Sequence, residues 1–251
     1  MAVTAAAFDK VYEERVVNNT MCEVPAYYRT RKDRYVKTFR VVESLGLPPG
    51  SKVLEIGGGQ TALLCAGLLG HEGTVWDLSE RYRESVVRHG LEFGVCDMVH
   101  DDPSVRERFD LVLFLEVIEH CPMPGHLVLE KIGRWLKPGG RVIVTTPNLY
   151  RLRNLVRFAM GKQVLTEFRY PARGEGIGHF IEYTEKHLRW QIEKAGLEVE
   201  RLDLVQLTNV GFTAKARVQR WLSKPLLARR IWRDSLLAVA RKPAVAEIGK
   251  A

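Results

Sequence analysis

Short apolar runs alternate with stretches of helical spacing through the middle of the chain. Val53–Ile56 is the first run, closed by Gly57-Gly58-Gly59, and Thr61–Leu69 after it has the character of a helix. Gly73–Asp77 is a second strand, with Ser79 placed to N-cap a helix over Glu80–His89. Phe93–Asp97 and Asp110–Val117 follow as a third and fourth strand, the fourth leading into Ile118-Glu119-His120. A helix over Leu127–Leu136, a turn at Lys137–Gly140 and a fifth strand at Arg141–Thr146 come next. Leu152–Met160 is helical in pattern, Thr184 caps a helix that runs to Ala195, and Leu197–Val205 gives a sixth strand. Ser235–Arg241 is the last strand, stopped by Pro243. Continuous apolar strands separated by helices mean βαβ units, an α/β fold with a parallel sheet buried on both faces.

The flanking regions set the domain plan. Residues 1–45 are expected to be an N-terminal helical cap or lid, with Val36, Phe39, Val42 and Leu45 at helical spacing. The main domain runs over 46–243 and carries a lid-like insert at 148–183 and a basic helical insert at 207–233. Residues 244–251 form a tail. At 251 residues and 28.6 kDa, with 46% hydrophobic and 27% charged residues, the chain suits one soluble domain with a sizeable core.

The net charge of +8 is local. Lys215, Arg217, Arg220, Lys224, Arg229, Arg230 and Arg233 fall within 212–233, which holds no acid, and the rest of the chain is close to neutral. With Trp221 and Trp232 among them, this stretch has the composition of an interfacial segment, and a peripheral contact with an anionic membrane is expected there. No run of about eighteen apolar residues suggests a membrane span. Met1–Ala7 lacks a charged n-region, and Cys22, Cys65, Cys96 and Cys121 form no CxxC pair. The expected setting is the cytoplasm, with contact at the inner membrane face as an addition.

The chemistry centres on the turn after the first strand. A strand, three glycines and a helix N-terminus let bare backbone approach a nucleotide ligand. Gly57-x-Gly59-x-x-Ala62 also fits the dinucleotide fingerprint, which leaves a dinucleotide-dependent oxidoreductase as one reading. Glu55 favours another, because a carboxylate in the turn repels a pyrophosphate and suits a cationic ligand. Asp77, at the end of the second strand, stands where a carboxylate takes ribose hydroxyls.

Val53-Leu-Glu-Ile-Gly-Gly-Gly59, Val75-Trp-Asp-Leu-Ser79, Cys96-Asp97-Met98, Phe109–His120 and Leu136–Val144 together resemble the class I S-adenosylmethionine-dependent methyltransferases. Thr146-Pro-Asn148 followed by Gly178–Thr184 is similar to a bacterial branch with ubiquinone-type and sugar or glycan O-methyltransferases. The resemblance implies a doubly wound, Rossmann-like, seven-stranded, mostly parallel sheet with helices on both faces and a reversed last strand. It implies S-adenosylmethionine as cofactor and S-adenosylhomocysteine as product. Glu55 and the backbone of Gly57, Gly58 and Gly59 would then hold the methionine moiety. Asp77 would take the ribose hydroxyls and Leu78 would pack on the adenine. Asp97 would accept from the adenine amino group with Met98 beside it, and Glu116 and Val117 would lie under the sulfonium. Many members have cysteine or threonine near the second glycine where this chain has Gly58-Gly59-Gln60, which loosens the individual loop contacts.

Methyl transfer to a hydroxyl needs alignment, exclusion of water and removal of a proton. His120 and His179, both expected at the sheet's carboxyl edge, are the candidate bases. The 148–183 insert is aromatic, and Tyr150 and Tyr183 are candidate substrate contacts. No spacing singles out a metal, so none is expected. The favoured reading is an O-methyltransferase of a sugar, glycan or lipid-linked glycan precursor, followed by a quinone or phenolic ring. An RNA methyltransferase or nucleic-acid binding protein is a rival suggested by the pI near 9.4, and it is disfavoured because the charge sits in one stretch. Oligomeric state does not follow from the sequence.

Overall fold

A computed structural model describes residues 2–19, 23–207 and 225–244. Cys22, residues 212–224 of the basic segment and most of the 244–251 tail therefore lie outside the described residues. Seven strands, β1 (Lys52–Ile56), β2 (Glu72–Asp77), β3 (Glu92–Val95), β4 (Phe109–Leu115), β5 (Leu136–Pro147), β6 (Glu198–Val205) and β7 (Ser235–Arg241), form one sheet in the order β3-β2-β1-β4-β5-β7-β6. All neighbours are parallel except β7, which is antiparallel to both β5 and β6. The strand order reverses direction at β1, which brings the carboxyl ends of β1 and β4 together.

Side chains alternate between two cores, as the period of a strand dictates. Leu54, Ile56, Val112 and Phe114 face α5 (Gly125–Trp135) and α7 (Glu185–Lys194). Val53, Leu111, Leu113 and Ile143 face the other layer, built from α1 (Ala5–Tyr12), α2 (Pro25–Ser44) and α3 (Gln60–Leu69). The N-terminal cap is thus part of the domain: Phe8, Tyr12, Val16 and Phe39 are buried in the same cluster as Leu63 and Val53. Thr184 caps α7 as its position suggested, its hydroxyl accepting from the His187 N–H at 3.2 Å.

Several boundaries differ from the sequence reading. Lys137–Gly140 is an irregular start of β5, its pairing with β4 shifted between Phe109 and Leu111, instead of a free turn. The helix after β2 begins as a 3₁₀ turn at Glu80–Tyr82 before α4 (Arg83–Val87), and the Ser79 hydroxyl makes no capping bond. β4 stops at Leu115, because Glu116 adopts a left-handed conformation (φ 57°) that turns the chain out of the sheet. The insert closes at its base where Asn148 bridges to Tyr183 and the Leu149 N–H donates to the Tyr183 carbonyl at 2.9 Å. Inside the insert lies α6 (Leu152–Ala159).

Because the cap shares the core, Phe8→Ala should lower the unfolding free energy by about 3–5 kcal/mol in one cooperative urea transition. A main transition left in place by the substitution would mean that the cap folds apart from the sheet.

Candidate functional site

The glycine turn after β1 is held from both sides by buried carboxylates. Asp77 accepts the Gly58 N–H at 2.9 Å through one oxygen and the Ser79 N–H at 3.0 Å through the other. Glu55 lies at the N-terminus of α3, where its carboxylate accepts the Ala62 N–H. Burial pushes Glu55 up to about 8, against the pull of backbone N–H groups at Ala62, Thr61 and Gly59. Gly57 and Gly59 have φ of 84° and 99°, which an L side chain rarely adopts. A Cβ at Gly57 would stand 2.9 Å from Val117 Cγ2, and one at Gly59 would stand 2.7 Å from Val75 Cγ2.

A cleft of about 280 Å³ opens beside this turn. Gly57, Asp77, Leu78, Asp97, Met98 and Val117 line it, together with His120 and the insert's Pro171, Glu175 and Ile177. Six of the ten residues assigned to the cofactor thus meet in one place. Glu55, Gly58, Gly59 and Glu116 support the cleft without lining it. Glu116 Oε2 is 4.0 Å from the Arg34 guanidinium, and its Oε1 is buried with no hydrogen-bond partner. Arg34 reaches the site from α2, a contact that no sequence signal announced.

Asp97 is fully engaged. Its oxygens accept from the Val99 and His100 N–H groups, the His100 ring and, across the insert, the Gly174 N–H at 2.9 Å. Burial raises its pKa, but these donors outweigh burial and hold the carboxyl below its ordinary range. Cys96 and Cys121 are buried beside the cleft, and burial pushes both thiols up to about 12, which suits structural thiols.

His120 and His179 come together, their ring centroids 5.0 Å apart. His120 Nδ1 donates to the Ile177 carbonyl at 2.7 Å, which leaves Nε2 as the unprotonated nitrogen of the neutral ring. Burial lowers the His120 pKa, so the ring is neutral at pH 7. His179 Nδ1 lies 3.2 Å from Glu182, a buried carboxylate that also pairs with Arg151 and accepts from Asn154. Glu119 is fully buried, with one oxygen accepting from Thr146 at 3.0 Å and the other 4.0 Å from His120 Nε2. Burial and the neighbouring Glu116 carboxylate push Glu119 well above the ordinary carboxylate range.

Glu119, His120 and His179 each offer a ligand atom, all within 4.8 Å of one another, the one such trio among the described residues. The expectation of no metal rested on linear spacing, which cannot see a partner brought back by the insert. Neither aromatic candidate lines the cleft. Tyr183 is fully buried in the core beneath the insert, with its hydroxyl beside Gly125, and so stacks on no substrate; Tyr150 is exposed on the insert.

The sheet order, the glycine turn and the paired acidic strand ends define a class I S-adenosylmethionine-dependent methyltransferase. The chain belongs to the methyltransferase-domain family, whose model matches residues 28–202. A ubiquinone biosynthesis O-methyltransferase of Marinobacter nauticus is 34% identical over 165 residues, covering 61% of this chain and 66% of that protein. One of Nitrobacter winogradskyi is 33% identical over 129 residues, covering 49% and 47%. The matches to the first curated relatives span about half of their length. The fold is also that of the Burkholderia thailandensis 1,6-didemethyltoxoflavin-N1-methyltransferase solved with S-adenosylhomocysteine, at TM-score 0.55, 20% identity and coverage of 97% and 92%. The dinucleotide oxidoreductase reading falls with this membership. The family's cofactor is S-adenosylmethionine, and the side-chain-free cradle at Gly57–Gly59 fits it.

Glu119→Gln tests the buried acid. A carboxyl whose folded pKa is raised binds its proton more tightly in the folded state. Its stabilisation is present below about pH 4 and is lost as pH rises toward the folded pKa. The variant, which mimics the neutral acid, should therefore gain stability relative to the wild type as pH goes from 5 to 8, measured by urea unfolding with chelator present. Parallel curves would show that Glu119 ionises normally.

Proposed function

We propose that the protein is an O-methyltransferase of a phenolic or quinone-type ring hydroxyl, with His120 as the base that removes the hydroxyl proton. When bound, S-adenosylmethionine supplies an activated methyl group with its leaving group already attached. The chain's own work is to hold it, align the acceptor, exclude water and take the proton. Asp77 is the residue for the ribose hydroxyls and Leu78 and Met98 for the adenine faces, with Glu55 and the glycine turn holding the methionine end; Asp97 would take the adenine edge by giving up one of its present donors, such as the Gly174 N–H. Glu116 and Val117 lie on the side of the transferring group.

The observation that carries the reading is His120 itself. Its Nδ1 is fixed on the Ile177 carbonyl, the ring is neutral, and it lines the same cleft as the cofactor residues. A neutral imidazole with its second nitrogen free is the form that accepts a proton from a weakly acidic hydroxyl. The relatives' names favour the quinone or phenolic ring over the sugar or lipid-linked glycan first expected. Loop residues 171–177 cover the cleft through the Gly174 and Arg173 contacts to Asp97 and Asp101 and so exclude water.

The Glu119, His120 and His179 trio favours a second reading, a divalent ion that holds the hydroxyl oxygen and lowers its pKa. The two separate experimentally. With labelled S-adenosylmethionine and a catechol acceptor, His120→Ala should lower turnover roughly 10²–10⁴-fold while S-adenosylhomocysteine affinity barely changes. Activity that survives exhaustive chelation supports the base; activity abolished by chelator and restored by one divalent ion supports the metal. Transfer to free or lipid-linked sugars with none to the catechol would overturn the substrate reading.

A further inference from the structure

A second cavity, about 490 Å³, opens at the amino end of the sheet, away from the cofactor cleft. Lys52, Glu72 and Glu92, the first residues of β1, β2 and β3, line it together with Gly70, His71 and the segment His89–Leu91. It shares no lining residue with the cleft that holds Gly57, Asp77 and His120. A space of this size takes a molecule of sugar-phosphate dimensions.

Two local features here are unexplained by folding alone. Gly67 lies inside α3, where glycine weakens a helix, and a Cβ there would stand 2.9 Å from the Arg15 Nε. The missing side chain lets Arg15, which comes from the π-helical turn Glu13–Val17 after α1, lie across α3 and line the cavity. His71 is the second feature. It is 5% exposed, its Nε2 faces the Leu47 carbonyl at 3.5 Å, and its Nδ1 is buried with no hydrogen-bond partner among the described residues. Burial lowers the His71 pKa, so the ring is neutral. With the proton on Nε2, Nδ1 is an acceptor, and a buried acceptor left unpaired is costly.

The charges around the cavity favour an anion. Arg108 is paired with Glu92, which also accepts from the Thr74 hydroxyl at 3.2 Å. Arg15, Lys52 and Glu72 make no ion pair among the described residues, which leaves two cations against one acid. His89 stands beside them, its pKa lowered by burial and by the Arg15 guanidinium. Two donors thus crowd each other, and an anion between them relieves the repulsion.

We propose that this cavity is a second ligand site, which binds a small phosphate ester carrying a free hydroxyl. Arg15, Lys52 and His89 donate to the phosphoryl oxygens, and the His71 Nδ1 accepts from the hydroxyl. The orphan nitrogen is what selects an ester with a hydroxyl over bare phosphate. Because the site lies at the opposite strand ends from the cofactor cleft, both ligands are held at once. Which group is methylated does not bear on it.

The test is calorimetry on the full chain saturated with S-adenosylhomocysteine, titrated with ribose 5-phosphate, ribose or inorganic phosphate. Ribose 5-phosphate should bind saturably with Kd below about 1 mM, and ribose should show no measurable binding. Inorganic phosphate should bind roughly fivefold more weakly than the ester. Arg15→Gln with Lys52→Gln should weaken the ester at least about tenfold, and His71→Phe should remove its advantage over inorganic phosphate. Retained affinity for S-adenosylhomocysteine shows that each variant is folded, since none of these residues lines the cofactor cleft. If His71→Phe does not fold, the Arg15 and Lys52 variant decides alone. Absence of ribose 5-phosphate binding, binding only when S-adenosylhomocysteine is left out, or unchanged affinity in the Arg15 and Lys52 variant overturns the proposal. Inorganic phosphate that binds as tightly as the ester overturns the assignment of a hydroxyl-bearing ligand.

Discussion

Two buried carboxylates hold the backbone of the glycine turn open, and the rest of the site depends on them. Asp77 takes the Gly58 N–H and Glu55 takes the first free N–H groups of α3, so the chain between β1 and α3 has its donors tied down from opposite sides. Both groups belong to strands whose carboxyl ends meet the cleft, and the parallel register of β1 with β2 sets their separation. An unpaired carboxylate at this depth is costly. Here the helix N-terminus and the turn amides offset only part of that cost for Glu55, whose carboxyl burial pushes up to about 8.

The insert completes what the sheet begins. Ile177 fixes the His120 tautomer, Gly174 caps Asp97, and the Phe180 N–H donates to the Glu119 carbonyl at 3.0 Å. The cofactor wall and the proposed base are therefore positioned by one segment, which is itself anchored by the buried Arg151–Glu182–Asn154 group. Movement of the insert acts on both at once.

Much of the sheet was legible because a parallel strand buried on both faces leaves a nearly continuous apolar run, as Val53–Ile56 (broken only by Glu55), Leu111–Leu115 and Val142–Val144 do. The end of β4 was not legible, since nothing in Leu115-Glu116-Val117 announces a left-handed residue. The cofactor residues were named from the family resemblance, position by position, and they fall at or just after the carboxyl ends of strands that periodicity locates. His120 and His179 could be singled out one at a time, but their meeting depends on how a long insert returns to the sheet. Glu119 and Glu182 went unassigned because buried acids look like surface acids in a sequence. Tyr183 was misread for the converse reason: an aromatic in a glycine-rich loop gives no sign of full burial. Arg34 was hidden in a helix whose many basic residues all look alike.

Calorimetric titration of the wild-type protein with S-adenosylhomocysteine, alongside NAD and with Gly59→Ala as comparison, tests the central claim most directly. The cradle described here predicts micromolar binding of S-adenosylhomocysteine, no measurable binding of NAD, and a loss of affinity of at least about tenfold in Gly59→Ala, where a Cβ meets Val75 at φ 99°. Tight binding of NAD with none of S-adenosylhomocysteine, or a Gly59→Ala protein that binds as the wild type does, would contradict it.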